Sequence, residues 1–554
     1  MVTRVTLFWK CSFIIFVVAV TTMIAPLLSA QVTTYNYFYR VYFKDKGNQN
    51  PANFRAGDLL SAKAQKRRDK AGIPYPVMND LPVNQEYVNQ VKSKGYTYHC
   101  ASKWLNTALF KTVSQADINL LISLPFVSEV KIVKRPVGKG LYPGKLDLKL
   151  TRDTDYPPFD RPLTMLNGQL LHKSGFTGEG ILIAVLDGGF LKADLASSLD
   201  NLRSRNGIKG TYDMILRNKY VYNYHYHGTA VLSVLAGDIT DYIEGSAPGA
   251  DYWLIRTEDT NSEFPVEEDY WVAGAEYADS LGVDIISSSL GYFNFDDPDM
   301  NYKFSDMNGK STFVSRAAES AASKGILVVN SAGNERTSEW KRIIAPSDGD
   351  SVIAAGAVDG SNLISSFSSA GPSADGRIKP DNVAQGVSVV LQIEPETLAR
   401  ANGTSFSCPV LSGMCACLMQ AVPEALNMNI FNALHRSGDR YNKPDSLYGY
   451  GIPDIVNSLK ILQNFYLINP VDRTSIGPNP FTENFEVTFR EVPGTLRIQI
   501  FNTSGKQLIN KFYDDYVGRS VRITDLQNVS EGLYFVKLTT STWSVTHKII
   551  KLRE

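Results

Sequence analysis

Cysteine is scarce, with five in 554 residues. Cys11 sits in the apolar N-terminal segment, and Cys408, Cys415 and Cys417 fall on a stretch that reads as one helix. There, seven residues separate the first two by about 10 Å, and the last two point different ways, so neither pair suits a disulfide. The C-x6-C-x-C spacing has no nearby histidine pair and fits no zinc pattern. Cys100, Cys408, Cys415 and Cys417 are therefore expected to be free thiols, and core size must do what cross-links do elsewhere. Surplus charge is missing as well, with 56 Lys+Arg against 56 Asp+Glu. A polyanion held by bulk electrostatics needs such a surplus, so no nucleic-acid partner is expected. Beyond the first thirty residues no run has the length and apolarity to span a bilayer. Low complexity is absent too, since 26 Pro and 41 Gly are spread along a chain that is 44% apolar, and this excludes a disordered or fibrous class.

The first thirty residues stand apart. Arg4 and Lys10 precede an apolar stretch over residues 13–28, broken by Pro26 and closed by Ser29-Ala30. That is short of the ~20 residues a spanning helix needs, and reads as a secretory signal over residues 1–30. Leu28 is larger than the residue usual at the third position before the cut. Residues 31 to about 140 read as a small α+β unit, with strands over 35–43 and 127–133 and a helix over 116–123. The run Lys66-Arg67-Arg68-Asp69-Lys70 reads as a solvated charged face. Residues 137–158, rich in Gly, Pro and charge, suit an exposed linker.

Past the linker the pattern changes. Short buried runs at 181–186, 252–255, 285–288, 326–330 and 352–358 alternate with helical stretches such as 228–235, 265–281 and 311–324. Strand, helix, strand predicts a parallel sheet covered on both faces, with ligands taken at the carboxyl ends of its strands. After about Phe465 the helices give way to short alternating strands at 485–489, 496–501, 520–523, 533–538 and 545–550, which predict a β-sandwich. The expected divisions are 1–30, 31–150, 156–465 and 466–554.

Four motifs point at the crevice. Asp187 follows an apolar strand in Ala184-Val185-Leu186-Asp187-Gly188-Gly189, where a turn cap is the plainer alternative. His227, in His227-Gly228-Thr229, opens a helical run, and the Gly-Thr after it is what separates it from His225. Ser405, in Asn402-Gly403-Thr404-Ser405, precedes the helical stretch 410–419, which places its hydroxyl by free backbone N–H groups at a helix N-terminus. Asn334, in Ala332-Gly333-Asn334, lies past another buried strand, where its amide could meet a developing oxyanion. A nucleophilic serine needs a base, and the base needs a carboxylate to fix its tautomer.

In this order the motifs resemble those of the subtilisin-like serine proteases. Gly245-Ser246-Ala247-Pro248-Gly249-Ala250, Lys379-Pro380-Asp381 and the segment Ser289-Leu290-Gly291, which resembles the family's substrate-pairing edge strand, extend the resemblance over about residues 156–462. It implies a secreted serine endopeptidase with Asp187, His227 and Ser405 catalytic, Asn334 and the Ser405 backbone N–H holding the oxyanion, and protein or peptide substrates bound along Ser289, Leu290 and Gly291. Departures are Gly188 where Ser or Thr is frequent, Leu232-Ser233 for Ala-Gly, Phe406 for Met, Cys408 for Ala or Ser, and Gln385 for Pro. None removes a catalytic group.

The implied fold is α/β, a subtilisin-like parallel sheet with helices on both faces, preceded by a small α+β propeptide and followed by a β-sandwich. Residues 31 to about 140 resemble a subtilase propeptide, so the chain's own propeptide is an expected partner. Residues 466–554 resemble the sorting domain of the type IX secretion pathway of Bacteroidota, through Pro478-Asn479-Pro480-Phe481, Ile500-Phe501-Asn502-Thr503-Ser504-Gly505-Lys506, Gly532-Leu533-Tyr534-Phe535-Val536-Lys537-Leu538 and the ending Lys548-Ile549-Ile550-Lys551. This adds the type IX machinery as a partner and a secreted or surface-attached location. No metal or cofactor is implied. A structural calcium is compatible with the family, though no loop shows evident Ca²⁺-ligand spacing. The alternative from another class is a non-catalytic surface-binding protein on the same fold.

Overall fold

The computed structural model describes residues 36–137, 145–148, 150, 161–468, 473–490, 493–540 and 543–553. The expected signal segment and most of the expected linker lie outside the described residues. Four antiparallel strands, β1 (Tyr37–Phe43), β2 (Thr97–Ser102), β3 (Thr107–Thr112) and β4 (Val127–Lys134), form the first sheet in the order β2-β3-β1-β4. Helices α1 (Ala62–Ala71) and α2 (Gln85–Ser93) accompany it. The period of two along β1 gives its faces different tasks. Tyr39, Val41 and Phe43 join Val88, Val91 and Phe110 in a core of the unit's own. Phe38 and Tyr42 pack instead with residues of the second unit, and Arg40 reaches Asp269 there. Helix α1 is fixed at its start by Ser61 Oγ, which accepts from Ala64 N, and at its end by Gly72 in the left-handed region.

The run Lys66–Lys70 corrects its sequence reading. Arg67 and Arg68 are 6% and 0% exposed. Both pair with Asp279, and Arg68 also pairs with Asp80 at 2.8 Å. Periodicity could not distinguish a charged face turned to water from one turned to carboxylates of another unit. The expected helix over 116–123 shrinks to Asn119–Ile122.

The second unit is built on seven parallel strands: β5 (Leu182–Asp187), β6 (Ile208–Asp213), β7 (Asp251–Arg256), β8 (Ile285–Ser288), β9 (Leu327–Ser331), β10 (Val352–Val358) and β11 (Asn382–Gln385), ordered β11-β10-β9-β8-β5-β7-β6. Every residue of β5 is buried, as a strand covered on both faces requires. Ile183 and Val185 enter one core with helices α3 (His227–Ala236), α6 (Thr404–Ala421) and α7 (Asn427–Ser437). Leu182, Ala184 and Leu186 enter the other, with α4 (Val266–Leu281) and α5 (Phe313–Ser323). The last helix, α8 (Ile455–Ile468), runs past the boundary expected at 465, and Tyr466 packs in the first of these cores. Its hydroxyl donates to Asn429 Oδ1 at 2.6 Å. Beyond it, a three-stranded sheet (Thr474–Gly477, Phe485–Phe489, Ser520–Ile523) and a four-stranded one (Gln507–Tyr516, Gly494–Asn502, Gly532–Thr540, Ser544–Lys551) enclose one apolar core.

Candidate active site

Asp187 is the last residue of β5, in register with Arg256 on β7, and is fully buried. The chain then turns sharply through Gly188 and Gly189. Gly189 has φ 143°, and a Cβ on it would come within 2.7 Å of His225 N. A Cβ on Gly228 would come within 2.4 Å of Gly189 O, so α3 starts in direct contact with this turn, and Gly228 N donates to the same carbonyl at 3.0 Å. The contact carries the His227 ring to the carboxylate: Nδ1 is 2.9 Å from both Asp187 oxygens. A carboxylate only accepts, so Nδ1 holds a proton, and in the neutral ring Nε2 is the nitrogen with the lone pair. The ring centroid lies 6.3 Å from that of Phe406, the residue after Ser405.

His225 is held elsewhere. Its Nε2 is 3.0 Å from Asp147, its Nδ1 accepts from His227 N at 3.2 Å, and its ring stacks on Tyr226. The two histidines, close in sequence, therefore have distinct partners.

Ser405 is the second residue of α6 and 7% exposed. Pro409 lies inside the helix and has no N–H to give the carbonyl four residues back, which is that of Ser405. Ser289 Oγ, just past β8, donates to that carbonyl at 2.9 Å instead. Leu290 O accepts from Asn330 Nδ2 at 2.8 Å, and a Cβ on Gly291 would lie 2.3 Å from Ile344 Cδ1. Ser289 and Leu290 are 4% and 3% exposed, so neither turns its side chain to solvent. Asn334 is exposed, and its Oδ1 accepts from Thr404 N at 2.9 Å and from Thr404 Oγ1 at 3.0 Å. With Oδ1 so held, the amide N–H groups are left for another partner.

The four thiols are free, and Cys408, Cys415 and Cys417 share α6. Cys408 Sγ donates to Ser288 O and Val329 O, and burial pushes this thiol up to about 11. Sequence reasoning missed several parts of the site. The Ser289–Ser405 bond was open to it, since a proline within a helix announces a free carbonyl four residues earlier. The Thr404 anchor of Asn334 needed three-dimensional proximity. So did a set of three carboxylates, Glu258, Glu263 and Glu267, the one group of the described residues with metal-ligand proximity. It already holds a cation, the ammonium of Lys145.

The profile of the subtilase family matches residues 178–451, the peptidase S8 propeptide domain of Bacteroidota matches 38–143, and a secretion-system C-terminal sorting domain matches 475–552. The chain belongs to the subtilase family and is a subtilisin-like serine protease, a hydrolase. More particularly, it carries a propeptide ahead of the protease unit and a type IX sorting domain behind it, which marks a protein secreted or attached to the cell surface. Subtilisin DY of Bacillus licheniformis is 29% identical over 296 residues, covering 53% of this chain and 94% of its own. Subtilisin E of Bacillus subtilis (strain 168) is 28% identical over 295 residues, 53% of this chain and 69% of its own. The serine protease AprX of the same strain is 28% identical over 329 residues, 53% and 68%.

Proposed function

We propose that the chain is a secreted serine endopeptidase that cleaves peptide bonds through Asp187, His227 and Ser405 by way of an acyl-enzyme. The observation that carries this reading is the buried imidazole with Nδ1 2.9 Å from both oxygens of a buried carboxylate, beside the N-terminal turn that bears a serine. In this reading His227 Nε2 takes the Ser405 proton as Oγ attacks the carbonyl carbon, and later returns it to the leaving amine. Asp187 holds the tautomer and stabilises the imidazolium. The oxyanion takes hydrogen bonds from Asn334 Nδ2 and the Ser405 backbone N–H, and water then releases the acyl group. Protein or peptide substrates run along Ser289, Leu290 and Gly291. The chemistry needs no metal or cofactor. Residues 31 to about 150 act as the chain's own inhibitory partner, and the tail engages the type IX machinery.

Autoprocessing tests this without knowledge of the natural substrate. The Ser405→Ala chain should accumulate with its propeptide attached, His227→Ala should do the same, and His225→Ala should process almost normally. A fluorophosphonate should label the parent at Ser405. If purified Ser405→Ala still sheds its propeptide with no other protease present, and the parent takes no label at Ser405, the chain is a non-catalytic binding protein on this fold.

A further inference from the structure

Two residues past the end of β7, a cage of carboxylates opens beside the crevice. Glu258, Glu263 and Glu267 are 3%, 9% and 0% exposed in their side chains, and one oxygen of each lies within 4.8 Å of the others. Lys145 Nζ sits among them at 2.6, 2.7 and 2.7 Å. Glu258 also accepts from the buried Tyr292 hydroxyl, and Glu267 accepts from Asp259 N at 2.9 Å and Phe264 N at 3.2 Å. The second oxygen of Glu263, Oε1, is buried and has no hydrogen-bond partner.

Three carboxyl groups meet one ammonium, two more than a neutral ion pair needs, and because an uncompensated buried charge costs several kcal/mol, burial raises Glu267 well above the ordinary carboxylate range. Burial pushes Glu263 up to about 7 against the pull of Lys145. Burial also opposes the charge on Lys145, and the three glutamates hold its ammonium well above the ordinary range. An ammonium has three N–H donors, all engaged here, and this is why Glu263 Oε1 stays unpaired. A guanidinium brings five donors in a fork and could satisfy it.

The cage also has a direction. Its Tyr292 wall continues the segment Ser289-Leu290-Gly291. From Lys145 the chain passes the catalytic turn: a Cβ on Gly188 would lie 2.5 Å from Leu146 Cδ1, Asp147 meets His225 at 3.0 Å, and Leu148 N donates to the Tyr226 hydroxyl at 3.1 Å. Residues 145–148 thus run from the cage along the edge of the crevice to the residue before His227.

Building on the protease reading, we propose that Glu258, Glu263 and Glu267 form a subsite for a lysine or arginine side chain of the protein substrate, on the N-terminal side of the bond cut. Lys145 fills it as a stand-in until maturation. The maturation cut therefore lies after Lys145, and the processed enzyme presents a vacated cage. Arginine binds it at least as well as lysine, because it reaches the unpaired oxygen.

The test uses the secreted, processed enzyme on a proteome-derived peptide mixture read by mass spectrometry. Lysine and arginine should be enriched at one fixed position before the cut. Replacing that residue with norleucine in a single peptide should lower kcat/KM by at least about tenfold, the scale of losing one buried charge partner. In Glu258→Gln/Glu263→Gln that ratio should fall to about twofold or less. Should the double variant fail to fold, the parent enzyme suffices: a synthetic peptide of residues 143–150 should inhibit at least about tenfold better than the same peptide with Lys145→Met. The proposal is overturned by cleavage without basic enrichment, by a ratio that survives the double variant, by equal inhibition by the two peptides, or by a mature N-terminus ahead of Lys145. It is equally overturned if calcium stabilises the mature parent and not the double variant, which would assign the cage to a metal. Absence of both cleavage and fluorophosphonate labelling fails the protease reading instead, a result separate from all of these.

Discussion

Ser289→Ala removes one hydroxyl, whose partner is the Ser405 carbonyl, and should weaken both fold and catalysis. The Ser405 carbonyl has no helical donor, because the residue four positions on is Pro409. Ser289 Oγ, at 2.9 Å, takes the place of that donor. Both residues are buried, at 4% and 7% exposure, so water is a poor substitute. An orphaned buried acceptor costs about 1–3 kcal/mol. If all of it fell on the transition state, kcat/KM would drop by roughly 5- to 150-fold; what does not appear there should appear as lost stability, since the first turn of α6 carries Ser405 Oγ with it.

Pro409→Ala supplies the missing N–H, so the pair forms a double-mutant cycle. Ser289→Ala/Pro409→Ala should lose less than the sum of the single changes, with a coupling of about 1–2 kcal/mol. Stability is best read by urea unfolding in a Ser405→Ala background, which stops self-digestion and keeps the carbonyl in place. Activity is read with the serine restored. The reasoning is refuted if Ser289→Ala lies within about 0.3 kcal/mol of its parent and keeps its kcat/KM, or if the cycle is additive.

Three further outcomes follow from the same geometry. Asn334→Ala should lower kcat by about 10²–10³, as loss of the one side-chain oxyanion donor does in a subtilisin, and slow autoprocessing without abolishing it; unchanged kcat would remove Asn334 from the oxyanion site. His99 of the propeptide is buried against Met214 and Tyr270 of the protease unit, and burial brings it down to about 4 from 6.5. Free His99 takes up a proton below pH 6.5 that the docked form refuses, so its contribution is complete above pH 6.5 and weakens on acidification, by about 30-fold in affinity at pH 5. Burial raises Glu268, Asp269 and Glu276 at the same interface and works in the opposite direction, so the check is the difference in pH profile of propeptide inhibition between parent and His99→Gln, with coincident profiles excluding His99. Arg68→Ala takes one of two arginines from Asp279 and leaves Asp80 with Lys324 alone, and should weaken inhibition by the propeptide supplied in trans by about tenfold or more, with little effect on the kcat of processed enzyme.

The parts of this fold legible in the sequence are those where one face or one end decides the residue. The runs at 285–288 and 352–358 coincide with β8 and β10 because strands buried on both sides leave no room for polar interruption. The glycines around Asp187 and His227 were legible for a similar reason, since side chains would collide where α3 meets the turn after β5. Contacts between units were not legible. Arg67 and Arg68 look like surface residues because their shared partner Asp279 lies more than two hundred positions away, and nothing local separates a solvated arginine from one that meets a carboxylate. Lys145 and its three glutamates escaped notice for the same reason, the strand at 474–477 because it is short, and the strand at 507–516 because the adjacent pairs Leu508-Ile509 and Phe512-Tyr513 break its alternation.

The polarity of the propeptide interface has a functional logic. Helix α4 turns Glu268, Asp269, Glu276 and Asp279 toward the propeptide, which answers with Arg40, Arg67, Arg68, the Ser102 hydroxyl and the backbone N–H groups of residues 103 and 104. Each carboxylate is satisfied in the docked state and would become a hydrated surface group after release, so departure leaves no orphaned polar atom on the enzyme. Phe38, Trp104 and Leu109 add an apolar part to this interface, and one apolar throughout would leave a larger exposed patch that favours rebinding or aggregation. Buried ion pairs contribute less net affinity than hydrophobic side chains of equal volume, but they tolerate no misplacement. The interface is thus suited to holding one docking geometry while the chain is intact and to letting go once the connecting segment is cut.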